Sequence, residues 1–257
     1  MDINDLKERY NEDVNSVSKI QSMFEERKIV NLNSACNILW NKHETFFVFE
    51  NANKKLEAKN HLIINGLLDE FKVLNFNARL FDHGLRHICY AVLSDNEELI
   101  QRYSKLRYYR GENAPFSMDE MVALGESPIW CNTIQFFMAN DHNGIEKNLN
   151  IIEIKSLKKL PKKELGLLDD YEFYKALYNG DKPKMEEVLE KLTSHKIHKQ
   201  RNEDNVLNKF ISLPALGYAK LAWRKGIEVE VKSELVPKEL LSIQPLDNYK
   251  IPYDFLK

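Results

Sequence analysis

Turn-forming residues are scarce in this sequence: its 257 residues include 9 glycines and 8 prolines. A fold of many short strands would need more of them, whereas long helices tolerate the scarcity. Cysteine is scarcer still. Cys36, Cys89 and Cys131 are odd in number, far apart and set in apolar stretches beside Ile38, Ile88 and Trp130. They carry no disulfide framework and read as reduced core thiols of a cytosolic protein. No apolar run approaches the roughly 18 residues that a membrane span requires. The first residues, MDINDLKERYNEDVNS, are acidic and polar and hold no apolar signal core, so no signal peptide is expected and the protein is expected in the cytoplasm. Charge of one sign is lacking too. The 37 Lys and Arg nearly balance 39 Asp and Glu, for a net charge of −2, without the basic excess of a nucleic-acid binder. No G-x-S-x-G, phosphate loop, dinucleotide-binding glycine pattern or paired C-x-x-C occurs, and neither an enzyme nor a cofactor is expected.

What the chain does have is helical periodicity. Apolar residues recur every three or four positions in Ile3–Lys28, at Leu6, Tyr10, Val14, Val17, Ile20, Met23 and Phe24. Asn33–Phe49 and Lys54–Leu74 read as two further helices, and Asn75 to Leu93 continues in the same manner. From there an apolar helix, a short polar break and an amphipathic helix occur three times. The breaks fall at Ser94–Asp95–Asn96, around Asn140–Gly144 and at Asn179–Pro183, about 46 and about 39 residues apart. Asn and Asp there can cap the following helix. Gly180 can end the preceding helix in the left-handed conformation, and Pro183 suits the first turn of the next. Ser117 with Glu120 is a capping-box pattern for a short helix Ser117–Leu124. Ile152–Lys163 is Lys-rich and reads as a surface turn. The expectation is an all-α single domain, residues 1–257, of packed helical hairpins of the tetratricopeptide or HEAT kind. Residues 1–74 supply N-terminal helices and 75–257 the hairpin region, with at most a short extended segment near the C-terminus.

Chemistry-bearing residues are few. His83 and His87 are spaced as two zinc ligands on one helix face, but Gly84 stands where a metalloprotease has glutamate and no third ligand is evident. No metal is expected there. His195 and His198 read as solvated residues near a helix C-terminus. The stretch Arg102–Gly111, RYSKLRYYRG, interleaves cations with tyrosines, a composition that suits a helix C-terminus and equally a protein-contact surface. An acidic strip follows from Asp95, Glu97, Glu98, Glu112, Asp119, Glu120 and Glu126, against four basic residues in the same span. It reads either as a solvated helix face or as the surface offered to a basic partner.

The closing block, Phe210 to Lys257, is the most structured in pattern. Ala215, Ala219 and Ala222 form a small-residue stripe, Gly226 stops the helix, and Ile227, Val229 and Val231 alternate with charged residues. Pro237 opens a turn, and Tyr249, Ile251, Tyr253 and Phe255 alternate in a tail able to dock on the body. SLPALGYAKLAWRKGIEVEV followed by LVPKELL resembles the closing segment of the immunity protein 49 family of bacterial polymorphic toxin systems. Leu213, Ala215, Leu216, Ala219, Leu221, Ala222, Arg224, Gly226, Val229, Pro237, Leu240 and Leu241 carry the likeness. It extends over the hairpin Tyr171–Leu192 and back to about Asn75.

The resemblance implies an all-helical, non-catalytic protein that binds and neutralises a cognate secreted toxin. A toxin acting in the cytoplasm, such as a nuclease or a nucleotide-attacking enzyme, fits the expected location. The candidate contact surface is the acidic strip. Two other readings remain open at this level, a helical-repeat adaptor for some other protein and a metal-dependent enzyme using His83 and His87.

Overall fold

The computed structural model describes residues 3–53, 57–82, 85–111, 116–160, 166–202 and 204–257, with Arg110 by its backbone alone. Twelve α-helices are found among them. α1 (Ile3–Glu25), α2 (Leu32–Ala52) and α3 (Ala58–Phe76) form an N-terminal layer. Three helical hairpins follow: α4 (Arg86–Leu93) with α5 (Glu97–Ser104), α7 (Pro128–Ala139) with α8 (His142–Ile151), and α9 (Leu167–Asn179) with α10 (Lys182–Thr193). Between the first two lie a two-residue ribbon, β1 (Tyr109–Arg110) and β2 (Phe116–Ser117), and the short α6 (Met118–Leu124). The ribbon is antiparallel, with Tyr109 opposite Ser117 and Arg110 opposite Phe116. α11 (His195–Arg201) leads to α12 (Leu213–Arg224), which packs on α4 and α10.

The breaks between hairpins are built as their residues dictate. Asn96, Asp141 and Asp181 each accept a hydrogen bond from the N–H three residues on, at 2.8, 3.0 and 3.1 Å. That satisfies one of the free donors at each helix start. Asn140 and Gly180 end α7 and α9 in the left-handed conformation. Ser117 and Glu120 form the full capping box at α6. All three cysteines are buried thiols outside any disulfide, as their apolar settings indicate.

Three expectations are corrected. Asn75 to Leu93 is not one continuing helix: Asn77 turns left-handed at φ 52°, a 3-10 turn covers Leu80–Asp82, and α4 begins at Arg86. Ile152–Lys163 does not begin as a surface turn. Ile152–Ser156 winds on from α8 as a π-helical turn that buries Ile152 completely, and its residues from 161 onward lie outside those described. His195 opens α11 rather than trailing a helix, and His198 is buried with Nε2 against the carbonyl of Asn208.

The closing block packs much as its pattern indicates. Ala215, Ala219 and Ala222 are fully buried. The closest approach, however, belongs to Gly217, where an added Cβ would sit 2.2 Å from Sγ and 2.9 Å from Cβ of Cys89 on α4. Ile227–Val231 alternates inward and outward without pairing as a strand. Trp223 Nε1 holds it by donating to the Val229 carbonyl at 3.0 Å. The tail then returns across the N-terminal layer, where Phe255 stacks on Phe24 of α1 and meets Phe71 of α3 edge-on.

Tyr253 seats the tail by more than apolar contact. Its hydroxyl lies 2.7 Å from Nε2 of the buried His43, whose Nδ1 is 2.8 Å from Nδ1 of His61. His61 Nε2 in turn lies 3.2 Å from Glu50. Tyr253, His43 and His61 are thus joined in one chain whose donors and acceptors are set by the ring tautomers, with the Glu50 carboxylate close to its outer end. Burial, aided by His61, holds the His43 imidazole well below its usual range.

Asp95 is the most heavily engaged polar group in the interior. It sits in the α4–α5 turn at φ 56°, a left-handed position that a short polar residue tolerates. Its side chain is sealed from solvent and meets three cations. Lys59 Nζ of α3 donates to it at 2.6 Å and Lys220 Nζ of α12 at 2.7 Å, and Arg224 Nη1 lies 3.3 Å away. The N–H of Gln244 donates at 3.1 Å. Both ammonium groups also donate to carbonyls of the closing segment: Lys59 to Gln244, and Lys220 to Leu240 and Ser242. Burial lowers Lys220 to about 8, against the pull of Asp95 and with a further push from Lys59 and Arg224. Asp95 therefore does not stand on the acidic surface to which its place in the sequence assigned it.

Three outcomes are expected. Gly217→Ala costs about 1–3 kcal/mol in denaturant unfolding, and the loss shrinks in Gly217→Ala/Cys89→Ala, because removing the sulfur relieves the overlap. Asp95→Asn costs about 3–5 kcal/mol, since it leaves buried ammonium groups without a counter-charge. Stability also falls on acidification through the imidazole range. The depressed His43 contributes stability that is present above about pH 6.5 and is lost as pH drops towards its folded value, by about 1.4 kcal/mol per unit of depression. Melting of His43→Phe between pH 7 and 5 should show a flatter acid limb than the parent.

Candidate partner-binding surface

The remaining acidic residues fall into two groups. Glu97 and Glu98 occupy the first turn of α5, and Asp119 and Glu120 the first turn of α6. Both placements have a local cause, because negative charge at a helix start meets the exposed N–H groups and the positive end of the dipole. α5 and α6 both pack on α7, which thus supports the two groups. Glu98 is exposed. Glu97 is exposed as well and reaches back to Arg224, joining the surface to the cluster beneath it. Asp119 keeps 68% of its side-chain exposure while accepting from Arg107 Nε at 2.7 Å. Glu120 is tied into the capping box, and the hydrogen bond from the Ser117 N–H holds its carboxyl below the usual range. Glu126 is half-buried, and Glu112 lies outside the described residues.

The basic aromatic stretch before the ribbon is mostly consumed by the fold. Arg102 grips Glu70 of α3 through two bonds, at 2.7 and 3.0 Å. The hydroxyl of Tyr103 donates to the Gly66 carbonyl, and that of Tyr108 to Asp82. Arg107 also donates to Gln135 of α7. Tyr109 remains exposed on the ribbon, clamped by its backbone to the Asn77 side chain at the end of α3. Of this stretch, Lys105 and Tyr109 are thus the described residues most open to a partner.

The two histidines with zinc-ligand spacing are not both placed, since His83 lies outside the described residues. His87 turns its Nδ1 to Asp69 at 2.8 Å, and Asp69 also accepts from Trp40 Nε1 at 3.0 Å. Among the described residues, no three His, Cys, Asp or Glu side chains are grouped to hold a metal. The thiols are not activated: burial pushes Cys36 up to about 11 and Cys89 up to about 12.

Sequence reasoning missed the buried polar groups Glu44, Asp69, Asp170 and His43, and the half-buried His61 beside His43. A signal was present in α3, where Asn65, Asp69 and Lys72 recur at helical spacing along a face that is otherwise apolar. All three are buried.

No described helix is long and apolar enough to cross a membrane. No curated protein and no solved structure matches the chain. The family model of immunity protein 49 matches residues 35–240, from within α2 to the turn before Leu241. That span takes in all three hairpins and α12, and it reaches some 40 residues further toward the N-terminus than the likeness read from the closing block. The match covers most of the chain, and the chain belongs to the immunity protein 49 family.

Proposed function

We propose that this protein is a non-catalytic inhibitor of one cognate toxin domain, that it binds the toxin stoichiometrically, and that the toxin acts in the cytoplasm on nucleic acid or nucleotides. The family match over residues 35–240 carries the reading. The contact is proposed at the two acidic helix starts, Glu97–Glu98 and Asp119–Glu120, together with Glu126 and with Glu112, which belongs to the same acidic stretch of sequence. Carboxylates in that arrangement suit a basic active site, and complementary charge would speed encounter and fix orientation. Asp95 takes no direct part: it anchors Arg224, which in turn holds Glu97.

The test pairs the protein with the toxin domain encoded beside its gene. Co-expression should rescue growth, and calorimetry should give a complex of one to one. An adaptor for some other partner would leave the cells unprotected. Glu98→Lys/Asp119→Lys spares the capping box and the buried cluster; it gives up the Arg107 contact and favourable charge at two helix starts, so the fold should be kept at a cost of about 1–2 kcal/mol. Affinity for the toxin should weaken roughly tenfold or more, and binding by the parent should weaken as salt is raised. Full affinity in the double variant would move the interface elsewhere, while absence of both complex and rescue would remove the inhibitor reading itself.

A further inference from the structure

A cleft of about 460 Å³ opens where α2, the start of α4, the end of α11 and the start of α12 meet. Arg86, His87 and Arg201 line it. Each is held from behind by a carboxylate sealed in the core. Glu44 grips Arg86 through two bonds, one of them 2.8 Å from Nε, and the guanidinium lies 4.5 Å over the Trp40 ring. Asp69 fixes the Nδ1 edge of His87, and Asp170 accepts twice from Arg201 Nη2, at 2.8 and 2.9 Å. Glu44, Asp69 and Asp170 are 2%, 0% and 0% exposed, whereas the three side chains that they hold reach the cleft.

The arrangement puts negative charge at the back and nitrogen at the front. His87 Nε2 and Arg86 Nη1 make no hydrogen bond to the described residues, whereas Arg201 Nη1 also donates to the Gly166 carbonyl at 3.3 Å. Two acidic residues line the cleft and both are occupied: Glu44 by Arg86 and the Tyr90 hydroxyl, and Asp204 by Arg9 at 2.9 Å and the N–H groups of Val206 and Leu207. Stability does not require such a design, since buried ion pairs are often replaced by apolar residues without loss. Side chains locked in advance lose little entropy on binding, which is the usual arrangement of a recognition site. The volume also falls within the range of small-molecule sites, roughly 300–1,000 Å³.

We propose that this cleft binds a small anionic ligand through a phosphate or carboxylate group, received by Arg86 Nη1 and, where the ring carries both protons or the ligand brings one, by His87 Nε2, with the charge of Arg201 beside them. The site is separate from the acidic helix starts and does not depend on the toxin. The test titrates the full-length protein with inorganic phosphate, a nucleoside monophosphate and succinate in separate arms, at constant ionic strength, reading the His87 ring signals by NMR. A saturable shift is expected in at least one arm. Comparing phosphate with the nucleotide tells whether the phosphate is recognised alone, and succinate reports on carboxylates. Glu44→Gln/Arg86→Gln removes both charges of one pair together and should weaken the responding ligand roughly tenfold or more. Should that variant not fold, His87→Gln read by calorimetry should show the same loss. No shift in any arm, or binding that survives in the folded variant, would overturn the assignment.

Discussion

One carboxylate among three cations ties the two ends of the chain to its middle. Asp95 leaves the α4–α5 turn and gathers Lys59 from α3, Lys220 and Arg224 from α12, and the backbone of the closing segment at Gln244. Apolar packing holds α12 on α4 at one close point, Gly217 against Cys89, but dispersion elsewhere along the contact is non-directional and would tolerate a slide. Hydrogen bonds to one buried carboxylate do not permit such a slide. The cations outnumber Asp95, and the imbalance is met in two ways. Glu97 takes part of Arg224 at the surface, and three carbonyls of the closing segment accept from the lysines. The segment after α12 therefore has to fold back over the cluster, since without it the ammonium protons would be buried without acceptors.

The same logic recurs elsewhere in the interior. Glu44 joins α2 to Arg86 and Tyr90 of α4. Asp69 joins α3 to Trp40 of α2 and His87 of α4. Asp170 joins α9 to Arg201 of α11 and Tyr218 of α12. Each buried acid stands on one helix and takes its donors from others, so each crossing of helices in this region is pinned by charge as well as by shape. Stability is not the evident return from such pairs. Register is, and a cleft lined by groups held in register is a by-product that binding can use.

What was legible in the sequence follows from the range of each signal. Asn96, Asp141, Gly180, Asp181 and the Ser117–Glu120 box act within one helical turn, and their roles could be read from local spacing. The alanine stripe and the alternating tail also emerged, since burial follows their period. Asp95 did not. A charged residue in a polar break looks solvated, and its three partners lie 36, 125 and 129 residues away. The break at Asn77 was hidden for a different reason: the apolar pattern runs on through Leu80 and Phe81, which are buried from a 3-10 turn instead of a helix. For the candidate surface, composition found the acidic residues but could not separate Glu98 and Asp119, which face solvent, from Asp95, which does not.

The family match and the folded unit also have different borders. The match begins inside α2 and ends at 240, which leaves out α1 and the tail. Yet Leu6 and Val17 of α1 and Tyr253 of the tail belong to the same apolar cluster as the matched helices. Phe24 and Phe255 stack on one another, Tyr10 stacks on Phe49 of α2, and Tyr253 ends the His43–His61 chain. Ser242 and Gln244, whose carbonyls complete the Asp95 cluster, lie just past the matched span. α1 and the tail thus cover the outer faces of α2 and α3 together and give those faces their last polar partners. The tail also meets the α4–α5 turn just before α5, where the Tyr249 hydroxyl donates to the Ser94 carbonyl at 2.7 Å and the Gln244 N–H to Asp95 at 3.1 Å. The parts of the chain outside the family segment therefore close the faces of α2 and α3 and also brace the turn before Glu97, so changes in the tail should reach that edge of the proposed surface through Asp95 and Arg224 as well as through stability.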